Sequence, residues 1–191
     1  MVRLAPLLFA TLTATAAAED LNGFPAFAAF LAAERAGAKA DLEAAGARPV
    51  TFKDETRGSG GGFASHLRTI RAGDEILLEA ATWDRTGPVR LDRFFDGGAA
   101  RDEALAAISA HLRALMEREF GTAPEFGPRM QATAPDVAVL SNFTLMEEGA
   151  GLAFHFAPGE VAPKDAGPVE ARVPTARFAP HLNEEGRALF R

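Results

Sequence analysis

The chain has no cysteine, no tyrosine and a single tryptophan, Trp83, in 191 residues. Without thiols there are no disulfides and no thiolate chemistry, and a lipid anchor joined to a cysteine behind a leader is excluded. Basic charge is also in short supply: 20 Lys and Arg face 26 Asp and Glu, for a formal net charge of −6. Nucleic-acid-binding domains carry basic patches that neutralise phosphates, so that class of partner is disfavoured. The four histidines, His66, His111, His155 and His181, show no H-x-x-x-H or H-E-x-x-H spacing that would set two imidazoles on one helical face. No metal site and no cofactor are therefore expected. There is no G-x-S-x-G elbow either, and Gly58 to Gly62 reads as a flexible loop rather than a nucleophile turn or phosphate cradle. The carboxylate pairs Glu147-Glu148 and Glu184-Glu185 read as solvated, because glycoside hydrolysis needs two acids held across a cleft.

What is present suits a folded domain. A 48% hydrophobic and 24% charged composition is enough for a core and argues against disorder, and the length suggests one domain. At the N-terminus, Arg3, the apolar run Leu4 to Thr15 and Ala16-Ala17-Ala18 before Glu19 fit a signal peptide with an A-x-A cleavage site. The apolar run is shorter than the ~20 residues of a membrane span. Residues 1–18 are thus expected to be a cleaved leader, leaving 19–191 as a single domain, periplasmic or secreted, with no stable membrane anchor.

Beyond the leader, Pro25 behind Asn22 predicts a helix start, Phe27, Leu31, Ala38 and Leu42 recur at helical spacing, and Gly46 with Pro49 closes the segment. Strands are predicted at Val50 to Thr56, Phe63 to Ile70 and Glu75 to Asp84, followed by a turn at Arg85-Thr86-Gly87-Pro88. Leu105, Ile108, Leu112, Leu115 and Met116 form the firmest helical stripe, within about Arg101 to Phe120. Phe143 to Met146 and Leu152 to Phe156 read as a hairpin with its turn at Glu147 to Ala150. Alternation places Leu152, Phe154 and Phe156 on one face of that strand, with Ala153 and His155 opposite and His155 outward or half-buried. Val169, Ala171 and Val173 repeat the pattern against Glu170 and Arg172. The fold class that follows is α+β, an antiparallel sheet with helices packed on one face.

Between the last two strands lies Ala157 to Pro168, which holds three prolines and two glycines and is too long for a tight turn. The order Phe154-His155-Phe156, then Gly159-Glu160-Val161-Ala162-Pro163 and Ala166-Gly167-Pro168, then Val169 to Pro174, resembles the C-terminal domain shared by the lysozyme-sensing anti-sigma factor RsiV and the peptidoglycan deacetylase PdaC. The similarity extends back through Thr82 to Phe95 to the first helix. The chain departs from that family's pattern in carrying Gly159 and Lys164 where tyrosines are usual. A short link, Arg71 to Asp74, stands where the family has a Gly-Gly-Ala-His hairpin.

The leader implies export and the scattered reactive side chains imply no catalysis, so the chain is expected to be an exported, non-catalytic binding domain of the bacterial envelope, and the resemblance implies a lysozyme-like protein or peptidoglycan as its partner. An acidic surface suits encounter with a cationic protein. With only Met1 and Val2 before Arg3, the chain is not expected to be a transmembrane anti-sigma factor. The candidate ligand contacts are Glu160 and Lys164 on the loop and Trp83 at a strand end, the last also suited to the core. No catalytic residue is assigned. The alternative is a cell-wall glycan hydrolase or esterase whose site carries no recognisable motif.

Overall fold

The computed structural model describes residues 25–47, 49–121 and 142–190. The leader and the Asn22 cap lie outside them. Helix α1, Pro25–Ala44, begins on proline, whose missing N–H costs nothing in a first turn. It ends where Gly46 turns to φ 91° and Ala47 N–H reaches back to the Leu42 carbonyl.

Strands β1 (Val50–Gly60), β2 (Phe63–Ala72) and β3 (Glu75–Trp83) form an antiparallel sheet in that order. The glycine run at Gly58 to Gly62 is not a flexible loop: β1 continues to Gly60 through a bulge between Thr56 and Gly58. Gly61 and Gly62 alone make the turn, with φ 58° and 86°, the backbone that a two-residue type I′ hairpin requires. Gly73, φ 62°, leads the tight turn between β2 and β3. Leu42 of α1 packs with Val50, Ile70 and Ala72 on one face of this sheet. On the same face the ring of Phe52 lies between the guanidiniums of Arg35 from α1 and Arg68 from β2, 5.5 and 5.3 Å away.

A 3₁₀ turn, Leu91–Phe94, leads into α2, Ala99–Phe120, which closes on Gly121 in the left-handed conformation. The expected stripe is buried at Leu105, Ile108, Leu112 and Met116, and Leu115 packs partly buried beside it. The second sheet holds β4 (Phe143–Leu145), β5 (Gly151–Phe156) and β6 (Val169–Pro174), antiparallel with β5 central. Its apolar face, Phe143 and Leu145, Leu152, Phe154 and Phe156, Ala171 and Val173, joins the α2 stripe in one core. Helix α3, Glu184–Leu189, is capped by Asn183, whose Oδ1 accepts from Gly186 N–H at 2.8 Å. The Asn183 amide donates to the Arg93 and Phe95 carbonyls at 2.7 and 3.1 Å, tying α3 to the 3₁₀ turn. Phe94 meets Phe63, Phe143 and Phe190 edge to face, so both sheets and the C-terminal segment share this core.

The class is α+β, as the pattern predicts, but among the described residues there are two three-stranded sheets in place of one. They meet through a run of hydrogen bonds. The Leu145 amide donates to Ser65 Oγ at 2.8 Å, and Thr82 Oγ1 donates to the Phe143 carbonyl at 3.1 Å. Because the Thr82 proton is committed to that carbonyl, the 2.8 Å contact between the two hydroxyls has Ser65 as donor. Backbone groups at the edge of β4 are thus satisfied by side chains of the first sheet instead of by a further strand. Close approach there also explains a glycine: a Cβ on Gly58 would collide with the Leu145 carbonyl oxygen. No described helix is long and apolar enough to cross a membrane.

Candidate functional site

The loop between β5 and β6 is pinned from below. Val161 and Ala162 are buried, with Val161 part of the main core. The Glu160 carboxylate accepts from the Ala157 amide at 2.6 Å, while its own N–H donates to the Ala157 carbonyl at 3.1 Å, closing a small ring. Downstream, Lys164–Ala166 forms a 3₁₀ turn held by Ala166 N–H on the Pro163 carbonyl, 3.0 Å. Pro163 to Ala166 stand exposed, Lys164 among them, with its stem beside Gly159, which takes φ 83°. Glu160 and Lys164 therefore share one braced loop, the first half-buried and turned to its own backbone, the second facing solvent. Trp83 is elsewhere, buried at 9% exposure at the end of β3 in the first sheet and bridged to Pro88. Such burial matches the core role.

Each histidine has its own partner. His66 Nε2 donates to Asp54 Oδ1 at 3.0 Å. His111 Nε2 donates to the Arg172 carbonyl at 3.1 Å. His155 Nε2 meets Thr144 Oγ1 at 2.9 Å, and His181 Nδ1 lies 3.5 Å from Glu103. His155 is not outward or half-buried as its alternating position suggests, but 2% exposed. The face opposite the apolar core is covered as well, because the first sheet comes against it: Arg57 of β1 sits 3.7 Å from Glu170 of β6 and 3.6 Å from Glu55 of its own strand. Burial pushes the His155 imidazole down to about 4, against the opposing charge of Glu170, whose carboxylate is 4.0 Å from Nδ1. Burial would raise the Glu170 carboxyl, but the Arg172 hydrogen bond at 2.8 Å and the charges of His155, Arg172 and Arg57 outweigh it and hold it below the ordinary range.

A second polar cluster lies on the α1 side of the first sheet. Arg68, fully buried, donates through Nε to Asp54 Oδ1 at 3.0 Å and through Nη1 to Glu79 at 3.4 Å. Burial lowers its affinity for the proton, and Asp54 and Glu79 oppose that. The register aligns Asp54, Arg68 and Glu79 across three strands, with His66 two residues along on the same face. The sequence held the signal, since these residues occupy alternating positions, but reading it required the register.

The 3₁₀ turn, α2, the second sheet and the braced loop form a continuous stretch of chain with a recognisable pattern. Residues 92–176 match DUF3298, a family of proteins of unknown function. A DUF3298 protein from Bacteroides fragilis NCTC 9343 is similar in structure at 15% identity and a TM-score of 0.49, over 72% of this chain and 55% of that one. A DUF3298 protein from Pseudomonas aeruginosa PAO1 gives 14% identity and a TM-score of 0.45, over 74% of this chain and 63% of that one. This chain thus spans less than two thirds of either. No curated protein matches.

The DUF3298 match includes Glu160 and Lys164 but not Trp83 or the first sheet. At its border the structure contains a feature the sequence reading missed, an open hollow of about 460 Å³ between the Gly61-Gly62 turn and α3. Arg93, inside the matched residues, is part of its lining. Its Nε and Nη2 grip both Glu185 oxygens at 2.9 and 2.7 Å, its Nη1 reaches Asp84 Oδ2, and its guanidinium lies 5.5 Å above the Phe63 ring. Asp84 Oδ1 accepts from Thr86 N–H and Oγ1, both 2.6 Å, and from Gly87 N–H at 3.0 Å. Burial would raise the Asp84 carboxyl, but these bonds hold it well below the ordinary range. Only the Asp84-Thr86-Gly87 turn has a local signature. Arg93 and Glu185 meet across the fold, which no spacing rule reveals.

Proposed function

We propose that the chain is an exported, non-catalytic binding module of the bacterial envelope, recognising lysozyme or a cell-wall component through the loop at 157–168. The observation that carries this reading is the bracing of the loop. Val161 is anchored in the core, Glu160 closes the first turn and the 3₁₀ turn fixes the second, so Lys164 and Asp165 project from a segment already in one conformation. A preorganised loop loses little conformational freedom on binding. The resemblance to the RsiV and PdaC domain supports the choice of ligand. The acidic composition fits a cationic protein, and the leader at residues 1–18 fits delivery to the envelope.

Titration calorimetry of the whole mature protein with lysozyme and with soluble peptidoglycan fragments tests the proposal. One of the two is expected to give saturable heat, and Glu160→Ala, which removes the brace, is expected to weaken binding about tenfold with the core intact. Heats no larger than dilution for both ligands would end the proposal.

A further inference from the structure

The geometry points to a second binding site in the hollow beside the Gly61-Gly62 turn, one for a small organic acid with a short apolar tail. Its volume, about 460 Å³, falls within the ~300–1,000 Å³ usual for small-molecule sites. Four charged side chains line it, and three are already matched. Both oxygens of Glu185 and both of Asp84 are occupied, and Arg93 spends Nε, Nη1 and Nη2 on them. The fourth is Arg85, exposed and with no hydrogen bond or ion pair to any described residue. The four formal charges sum to zero, so what the hollow leaves open is not net charge but the hydrogen-bonding edge of the Arg85 guanidinium, which pairs readily with a carboxylate in a two-pronged geometry. Phe63, Ala188 and Leu189 supply apolar wall for a tail. Gly61 keeps the turn close to them, since a Cβ there would stand 3.3 Å from Leu189 Cδ1.

The site is separate from the loop at 157–168 and does not depend on the function proposed for it. The test is a titration of the whole protein with octanoate, followed by amide chemical shifts, with n-octanol and octylamine hydrochloride as companions. Octanoate is expected to produce saturable shifts at Gly61, Gly62, Arg85, Thr86 and Leu189, and octanol and octylamine much weaker ones. Arg85→Gln should weaken octanoate about tenfold. The thermal midpoint should stay where it was, because Arg85 is exposed and holds nothing in place. No saturable shift with octanoate, equal binding of octanol, tighter binding of octylamine or an unchanged affinity in Arg85→Gln would each overturn the assignment.

Discussion

His155 is a side chain whose acid-base chemistry the fold alters strongly. It is buried and neutral, with its affinity for a proton lowered from 6.5 to about 4, and Glu170, Glu55, Arg57 and Arg172 are the charges that act on it. In the unfolded chain it titrates near its ordinary value, so between about pH 6.5 and 4 the unfolded state binds more protons than the native one. The stabilisation is complete above 6.5 and declines as pH falls through that window, by of order 3 kcal/mol for a shift of this size. Urea unfolding at pH 7, 5.5 and 4.5 should show the decline in the wild type and a flatter profile in His155→Gln. Parallel profiles would mean that other groups set the acid limit. Gly151 is constrained in another way. Its φ is 152° and a Cβ there would run into the Val173 carbonyl oxygen, so Gly151→Ala should cost roughly 2 kcal/mol or more in the same assay. Neither residue announces this in the sequence: alternation says which face His155 shares with Ala153 but not whether another sheet covers that face.

Element boundaries were legible wherever apolar periodicity ran against a turn signal, as in α2 with its buried stripe and in the hairpin at Glu147 to Ala150. They were illegible at Gly58 to Gly62, where five residues rich in glycine look like slack chain. Two of the glycines have structural reasons that exist only in three dimensions, Gly58 for the approach of Leu145 and Gly61 for that of Leu189. The link between the sheets is equally hidden, since Ser65 and Thr82 are unremarkable strand residues until β4 is laid against them. The relay runs from the Leu145 amide through Ser65 and Thr82 to the Phe143 carbonyl, so each hydroxyl is both donor and acceptor. Thr82→Val keeps the shape but leaves a buried carbonyl and a hydroxyl without their partner, at a cost of about 1–3 kcal/mol. Ser65→Ala should cost a similar amount. The double variant should cost less than the sum of the two, because the second change removes a group already stranded by the first. Strict additivity in a urea double-mutant cycle would show that the hydroxyls act separately.

At the scale of the whole molecule, the family match and the physical unit do not coincide. Residues 92–176 hold α2, the second sheet and the loop, and they match as a block, yet the core they build is completed from outside. Phe63 comes from β2, and Phe178 and Phe190 from the segment after β6. Phe190 meets Phe94 at 5.5 Å and Phe178 at 5.1 Å. Burying each ring contributes roughly 1.5–3 kcal/mol. Removing all three therefore takes away an amount comparable to the ~5–15 kcal/mol net stability of a domain, before the loss of Ser65 and Thr82 is counted. A fragment of residues 92–176 is expected to be unfolded in solution, with collapsed amide dispersion. The full chain, by contrast, should unfold in one transition, with Trp83 fluorescence from the first sheet and far-ultraviolet dichroism giving the same urea midpoint. A well-dispersed spectrum from the fragment, or two separated midpoints in the full chain, would mean that the sheets are independent units and that the hydroxyl relay joins them without coupling them.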